Sequence, residues 1–220
     1  MTLDAILFDL DGTLADTAPD LAAALNAVLV ELGKEPLPLA TLRPHTSNGA
    51  RGLLGAGLGI TPADAEFGDL VLRFLHHYEI NVCAQSTLFP GVPHLLDHLD
   101  AQQIPWGVVT NKHHRFTVPV LKGLGLHDRC ACIVSGDTAA RPKPDPAPIL
   151  LACEQARARP ERVFYVGDDE RDILAGQAAG AYTVAVSWGY LGVDVPLEKW
   201  GANAIIHAPS QLVDLIAQHP

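Results

Sequence analysis

The chain has 220 residues, 48% hydrophobic and 18% charged, a balance that fits a folded core and excludes a disordered chain. A net charge of −10 argues against broad binding to nucleic acid or anionic lipid, so an anionic ligand must be met by a few local groups or a metal. No run is long and apolar enough to span a bilayer, the first residues lack the basic start of a secretion signal, and the four cysteines show no metal or redox spacing; a cytoplasmic protein with reduced thiols, free of membrane and working as a monomer or homodimer, is expected.

In chain order, residues 5–9 are an apolar, β-branched run that ends in two carboxylates, Asp9 and Asp11, followed by Gly12 and Thr13. Residues 16–83 then show helical periodicity and no convincing strand. Leu21, Leu25, Val28, Leu29 and Leu32 share one face; Leu53, Leu54 and Leu58 mark a second helix, and Leu70, Val71, Phe74 and Leu75 a third. The linker 33–52 between the first two is rich in Pro, Gly and Ser. From residue 84 strands and helices alternate. Strands are predicted at 104–110, 132–135, 163–167, 182–187 and 204–207, and helices at 92–100, 116–123, 146–157, 172–179 and 211–218. Short apolar strands without alternation belong to a parallel sheet buried on both faces. The expected fold is α/β: a doubly wound, Rossmann-like core of residues 1–15 and 84–220, with residues 16–83 inserted as an α-helical cap above the carboxyl ends of the strands.

Those strand ends carry the chemistry. The first ends in Asp9 and Asp11, the second in Thr110 and Asn111; Lys143 follows the third between two prolines, and the fourth ends in Asp168, Asp169 and, a turn later, Asp172. Singly, each reads as a turn, a helix cap or a solvated lysine. Turn propensity gives no reason for successive buried strands of one sheet to end in this set. Gathered together, the carboxylates must share protons or bind a cation, and all-oxygen ligands suit a hard ion such as Mg²⁺. Thr110 and Lys143 can then donate to the oxygens of a phosphate. One carboxylate of the Asp9–Asp11 pair can attack phosphorus while the other moves a proton on and off the leaving oxygen. Gly12 lets the backbone bend sharply and approach the phosphate.

The stretches "DLDGTLADT", "VVTNK", "RPKPDP" and "VGDDERD" resemble the four ordered motifs of the haloacid dehalogenase superfamily over essentially the whole chain. The resemblance implies a Mg²⁺-dependent phosphatase with Asp9 as nucleophile, forming an aspartyl-phosphate. It makes Asp11 the general acid/base, with its backbone carbonyl on the metal. Thr110 and Lys143 become phosphate holders, and Asp9, Asp11 and Asp168 the metal site. Asp169 and Asp172 become outer or water-mediated partners, and Asn111 offers its backbone N–H to the substrate. Within the superfamily the chain is similar to phosphoglycolate phosphatase-like enzymes. The stretches "NGARGLL", "WGVVTNKHHRF", "PDPAPILLAC" and "WGANAII" are more similar to the phosphatases of N-acetylmuramic acid 6-phosphate in cell-wall sugar recycling. "NKHHRF" and "ARPKPDP" depart from the common N-K-P and S-K-P forms without removing a catalytic group.

Substrate choice is expected in the cap, where Gly49 allows close approach and Arg51 meets an anion. His45, His113, His114 and Arg115 lie on the expected rim without an assigned role. Three classes compete. One is a phosphomonoesterase acting on a small phosphorylated metabolite, either N-acetylmuramic acid 6-phosphate or 2-phosphoglycolate. Another is a β-phosphoglucomutase-like isomerase, which must shield its phospho-aspartate from water. The third is a receiver-like phospho-switch, which needs neither a second carboxylate nor a cap.

Overall fold

The computed structural model describes residues 3–191 and 195–218. The chain opens with β1 (Ala5–Phe8) and β2 (Ala15–Asp16), then runs through α1 (Ala18–Glu31), α2 (Leu39–Leu42), a 3₁₀ turn (Arg43–Asn48), α3 (Gly49–Leu58) and α4 (Phe67–Ile80). It continues as β3 (Thr87–Leu88), α5 (Val92–Ala101), β4 (Trp106–Val109), α6 (His114–Gly123), β5 (Ile133–Val134) and α7 (Ala147–Ala156). Last come β6 (Val163–Gly167), α8 (Glu170–Ala179), β7 (Tyr182–Val186), β8 (Ala204–Ile206) and α9 (Ser210–Ala217).

Six of these strands form one parallel sheet in the order β5-β4-β1-β6-β7-β8. The sheet is buried on both faces because its strands are mostly apolar, and the buried hydroxyls they carry are hydrogen-bonded, Thr183 to Asn203 and Tyr165 to the Val109 carbonyl. Ile6 and Phe8 point to one side, packing with Leu95, Leu96 and Leu99 of α5, Val120 and Leu121 of α6, and Leu212 of α9. Ala5 and Leu7 point to the other, against Ile149 and Ala152 of α7 and Ala175 of α8. Sequential strands run outward from β1 to β5, and the chain then returns to lay β6 on the other side of β1. That reversal opens a crevice at the carboxyl ends of β1, β4 and β6.

The helices α1 to α4 close over that end around a core of their own: Leu21, Leu25, Val28 and Leu29 from α1, Leu53 and Leu54 from α3, Leu70, Phe74 and Tyr78 from α4, joined by Phe116 of α6. Leu32 is not part of it. The helix ends one residue earlier, and Leu32 is left 40% exposed where the chain turns away. The linker 33–52 holds α2 and the 3₁₀ turn, and α3 starts within it at Gly49. A further element was not legible as strand: Ala15 pairs with Leu88 and Asp16 with Thr87 in an antiparallel ribbon where the chain enters and leaves the helical layer. Among the described residues the cysteines are free, and no helix is long and apolar enough to cross a membrane.

Candidate active site

The register of the sheet brings the strand ends together. Phe8 pairs with both Val108 and Val166, so the residues that follow each emerge side by side. Asp9 still donates its N–H to Val166 O (2.9 Å), and Thr110 donates its own to Val134 O (2.9 Å). Lys143 arrives from the loop after β5. Its Nζ is buried among Asp9 Oδ1 (2.7 Å), Asp172 Oδ1 (2.6 Å), Tyr165 Oη (2.8 Å) and the Val109 carbonyl (3.0 Å). Burial works against the Lys143 ammonium, but Asp172 and Asp9 outweigh it and hold it charged well above the usual lysine range.

Asp9, Asp168 and Asp172 each offer an oxygen within 4.8 Å of the others, and all three are buried. Burial pushes Asp9 up to about 7 against the pull of Lys143, with Asp172 and Asp11 adding to the rise. Burial and the charge on Asp9 lift Asp168 well above the carboxylate range, and burial lifts Asp172. Lys143 is the ammonium set among these carboxylates, so negative charge is left over. An all-oxygen donor set with unneutralised charge fits a hard divalent ion such as Mg²⁺. Asp172, expected as an outer or water-mediated partner, stands within the cluster, where it accepts from Lys143 Nζ and from the Asp169 N–H. The Asp11 carboxylate turns toward Lys112, whose Nζ donates to both of its oxygens (2.8 and 3.0 Å), and also accepts from Thr17 Oγ1.

Asp168 is fixed from two directions. Thr13 Oγ1 donates to its Oδ1 and the Tyr190 N–H to its Oδ2, both at 2.8 Å. Gly12 serves this packing: with φ +92°, it leaves empty the place where a Cβ would meet Asp168 Oδ2 at 2.1 Å. Asp169 caps α8 in a reciprocal box with Asp172, and Arg171 grips its carboxylate (2.7 and 2.8 Å). Burial would raise Asp169, but Arg171 outweighs it and holds the acid below its ordinary range.

Above the carboxylates lies a cavity of about 350 Å³. Asp9, Asp11, Thr110, Lys143, Asp169 and Asp172 reach it from the sheet side. Its other wall holds residues 46–50, with Leu21, Val71, Phe74, Leu75 and Tyr78. Asn111 lines it too, but its side-chain amide is spent on Lys143, accepting from the backbone N–H and donating to the backbone carbonyl, each at 2.9 Å. Gly49 lines the cavity; Arg51 is exposed and not among the lining residues. Of the rim candidates, His113 lines it, whereas His45, His114 and Arg115 do not. Lys112, Tyr165, Arg171 and Tyr190 were not singled out from the sequence. Lys112 sits two residues past Thr110 and Arg171 two past Asp169, spacings that a strand-end reading could have included.

The model of the haloacid dehalogenase-like hydrolases matches residues 6–186. The chain is 40% identical to an N-acetylmuramic acid 6-phosphate phosphatase of Pseudomonas aeruginosa, over 98% of this chain and 96% of that one. It is 45% identical to a phosphoglycolate phosphatase of Xanthomonas campestris pv. campestris, over 94% of each. Among solved structures it is similar to that of a predicted phosphoglycolate phosphatase from Haemophilus somnus, with TM-score 0.86, 27% identity and 98% of both chains covered. The order of strands, the acidic cluster at their ends and these relatives agree: the chain belongs to the haloacid dehalogenase-like hydrolases and is one of their phosphatases.

Proposed function

We propose that the chain is a Mg²⁺-dependent phosphomonoesterase that passes a phosphoryl group through Asp9, and that its substrate is N-acetylmuramic acid 6-phosphate. The observation that carries the reading is the Asp9 carboxylate at the cavity floor, with Oδ1 engaged by Lys143 and Asp11 two residues on. The second oxygen of Asp9 attacks phosphorus. Lys143 and Thr110 hold the phosphoryl oxygens as charge shifts onto them. Asp11 protonates the leaving oxygen, then takes a proton from the water that hydrolyses the aspartyl-phosphate. Asp9, Asp168 and the Asp11 carbonyl, with Asp172 next to them, would hold Mg²⁺, which would supply the positive charge that lets two anions meet. Residues 16–83 act as the cap that covers the reacting groups.

The apolar wall of Leu21, Val71, Phe74 and Leu75 supports the larger substrate. A sugar bearing acetyl and lactyl groups covers that wall, and a two-carbon acid leaves it bare. The 45% identity to the Xanthomonas phosphoglycolate phosphatase favours a second reading, 2-phosphoglycolate. Phosphate release from the two esters, with Mg²⁺ and with chelator, separates these readings by kcat/KM. Steady release also separates a phosphatase from an isomerase. Asp9→Asn is expected to abolish release. Acid-quenched wild type is expected to carry the mass of one phosphoryl group on the peptide holding Asp9, and a modified peptide elsewhere, or none under rapid quench, would overturn the proposed intermediate.

A further inference from the structure

Two hydroxyls in the wall of the cavity keep hydrogen-bonding capacity that the protein does not fill. Among the described residues, Tyr78 Oη and Ser47 Oγ are the buried side-chain polar atoms without a hydrogen-bond partner, and both residues line the cavity that holds Asp9 and Asp11. Tyr78 is 2% exposed. Buried hydroxyls left unmet are destabilising, so two of them in one cavity point to a ligand that completes them.

Both are held in place. The Tyr78 ring meets Phe116 edge-on at 5.2 Å, and Lys112 Nζ lies 5.0 Å from its centre. The same ammonium is bonded to both oxygens of Asp11, which sets Tyr78 close to that carboxylate. Ser47 sits in the 3₁₀ turn, and its carbonyl accepts from Arg171 Nη2 at 2.8 Å. Arg171 is itself locked onto Asp169, so the turn is tied to the sheet side of the cavity. Burial holds the Tyr78 phenol up at about 12 against the pull of the nearby Lys112 ammonium, which can only donate, so the phenol keeps its O–H free as a neutral donor through the working range. Val71, Phe74 and Leu75 supply apolar surface in the same wall.

We propose that Tyr78 and Ser47 are specificity-determining residues, whose hydroxyls donate to acceptor oxygens of the leaving alcohol while Val71, Phe74 and Leu75 cover its carbon skeleton. The class selected is a phosphomonoester whose alcohol carries carbonyl, carboxylate or hydroxyl oxygens on a skeleton longer than two carbons. The inference rests on the phosphatase reading above and deepens it.

The test compares wild type, Tyr78→Phe and Ser47→Ala on N-acetylmuramic acid 6-phosphate and on phenyl phosphate, whose leaving group offers a ring and no further acceptor. In each variant the ratio of kcat/KM for the sugar phosphate to that for phenyl phosphate is expected to fall about tenfold, mainly through KM, as befits one lost neutral hydrogen bond. Melting temperatures report whether each variant is folded, and the two variants stand as independent tests. An unchanged ratio in folded variants, or an equal fall on both esters, overturns the inference and leaves the phosphatase reading standing. No phosphate release by wild type from these esters but release from 2-phosphoglycolate overturns the inference alone, and no release from any of the three overturns both.

Discussion

Gly189 has no side chain where Asp168 needs the room. A methyl group there would lie 2.2 Å from Asp168 Cβ and 2.5 Å from its Oδ2. Carbon atoms settle near about 3.5–4 Å, so Gly189→Ala must drive the carboxylate and the loop apart by about 1 Å or more. Asp168 cannot yield freely, since Thr13 and the Tyr190 N–H hold its two oxygens. Overpacking of this kind costs about 1–3 kcal/mol of stability, or roughly 2–4 °C in Tm per kcal/mol for a chain of this size. A 1 Å displacement of a group in the reaction costs about 10²-fold in rate. The assay is phosphate release at saturating ester, titrated with Mg²⁺, beside a thermal melt. Gly68→Ala is the control, because a methyl there meets nothing within 4 Å. Expected are a kcat about 10²-fold lower and a weaker Mg²⁺ requirement curve for Gly189→Ala, with the control near wild type. Wild-type turnover and Mg²⁺ dependence in folded Gly189→Ala would refute the claim that this packing positions Asp168.

Further outcomes follow from the same geometry. Asp9 rises from 3.8 to about 7 on folding, so the folded chain binds that proton more tightly than the unfolded one; metal-free stability therefore falls as pH climbs from about 4 to about 7. Mg²⁺ displaces the proton, so the rise in Tm on adding Mg²⁺ is expected to be larger near about pH 8 than near about pH 5, and differential scanning in the two buffers checks it. Asp11→Asn keeps the volume and loses the proton transfer; both formation and hydrolysis of the phospho-aspartate are expected to slow by about 10²–10⁴, seen by rapid quench. Tyr165→Phe removes one of the acceptors around Lys143. It is expected to cost about 1–3 kcal/mol in a denaturant melt, with a loss in kcat/KM of about tenfold.

The sheet was legible because a parallel strand buried on both faces admits few polar residues and no unpaired charge, so runs such as Val163–Gly167 end abruptly where the carboxylates begin. The same abruptness exposed Asp9, Thr110 and Asp168. What could not be read was the direction of side chains set by distant partners. The Lys112 side chain finds Asp11, far away in sequence, only because α6 starts where it does. Tyr165 looks like one more apolar strand residue, yet its hydroxyl crosses to the Val109 carbonyl at 2.9 Å. Arg51 has the charge to meet an anion, but α3 carries it outward, while the backbone near Gly49 stays in the wall. The ribbon was missed for another reason: strands of two residues carry no periodicity to detect.

That ribbon brings the two crossings between sheet and helical layer to a single place. With Ala15 facing Leu88 and Asp16 facing Thr87, the ends of a seventy-residue excursion lie roughly 5 Å apart, the spacing of paired antiparallel Cα atoms. An excursion with touching ends can be excised, exchanged or lengthened without moving any strand of the sheet, because the core ladder never runs through it. Grafting a foreign helical module between Asp16 and Thr87 is expected to leave the register of the sheet intact.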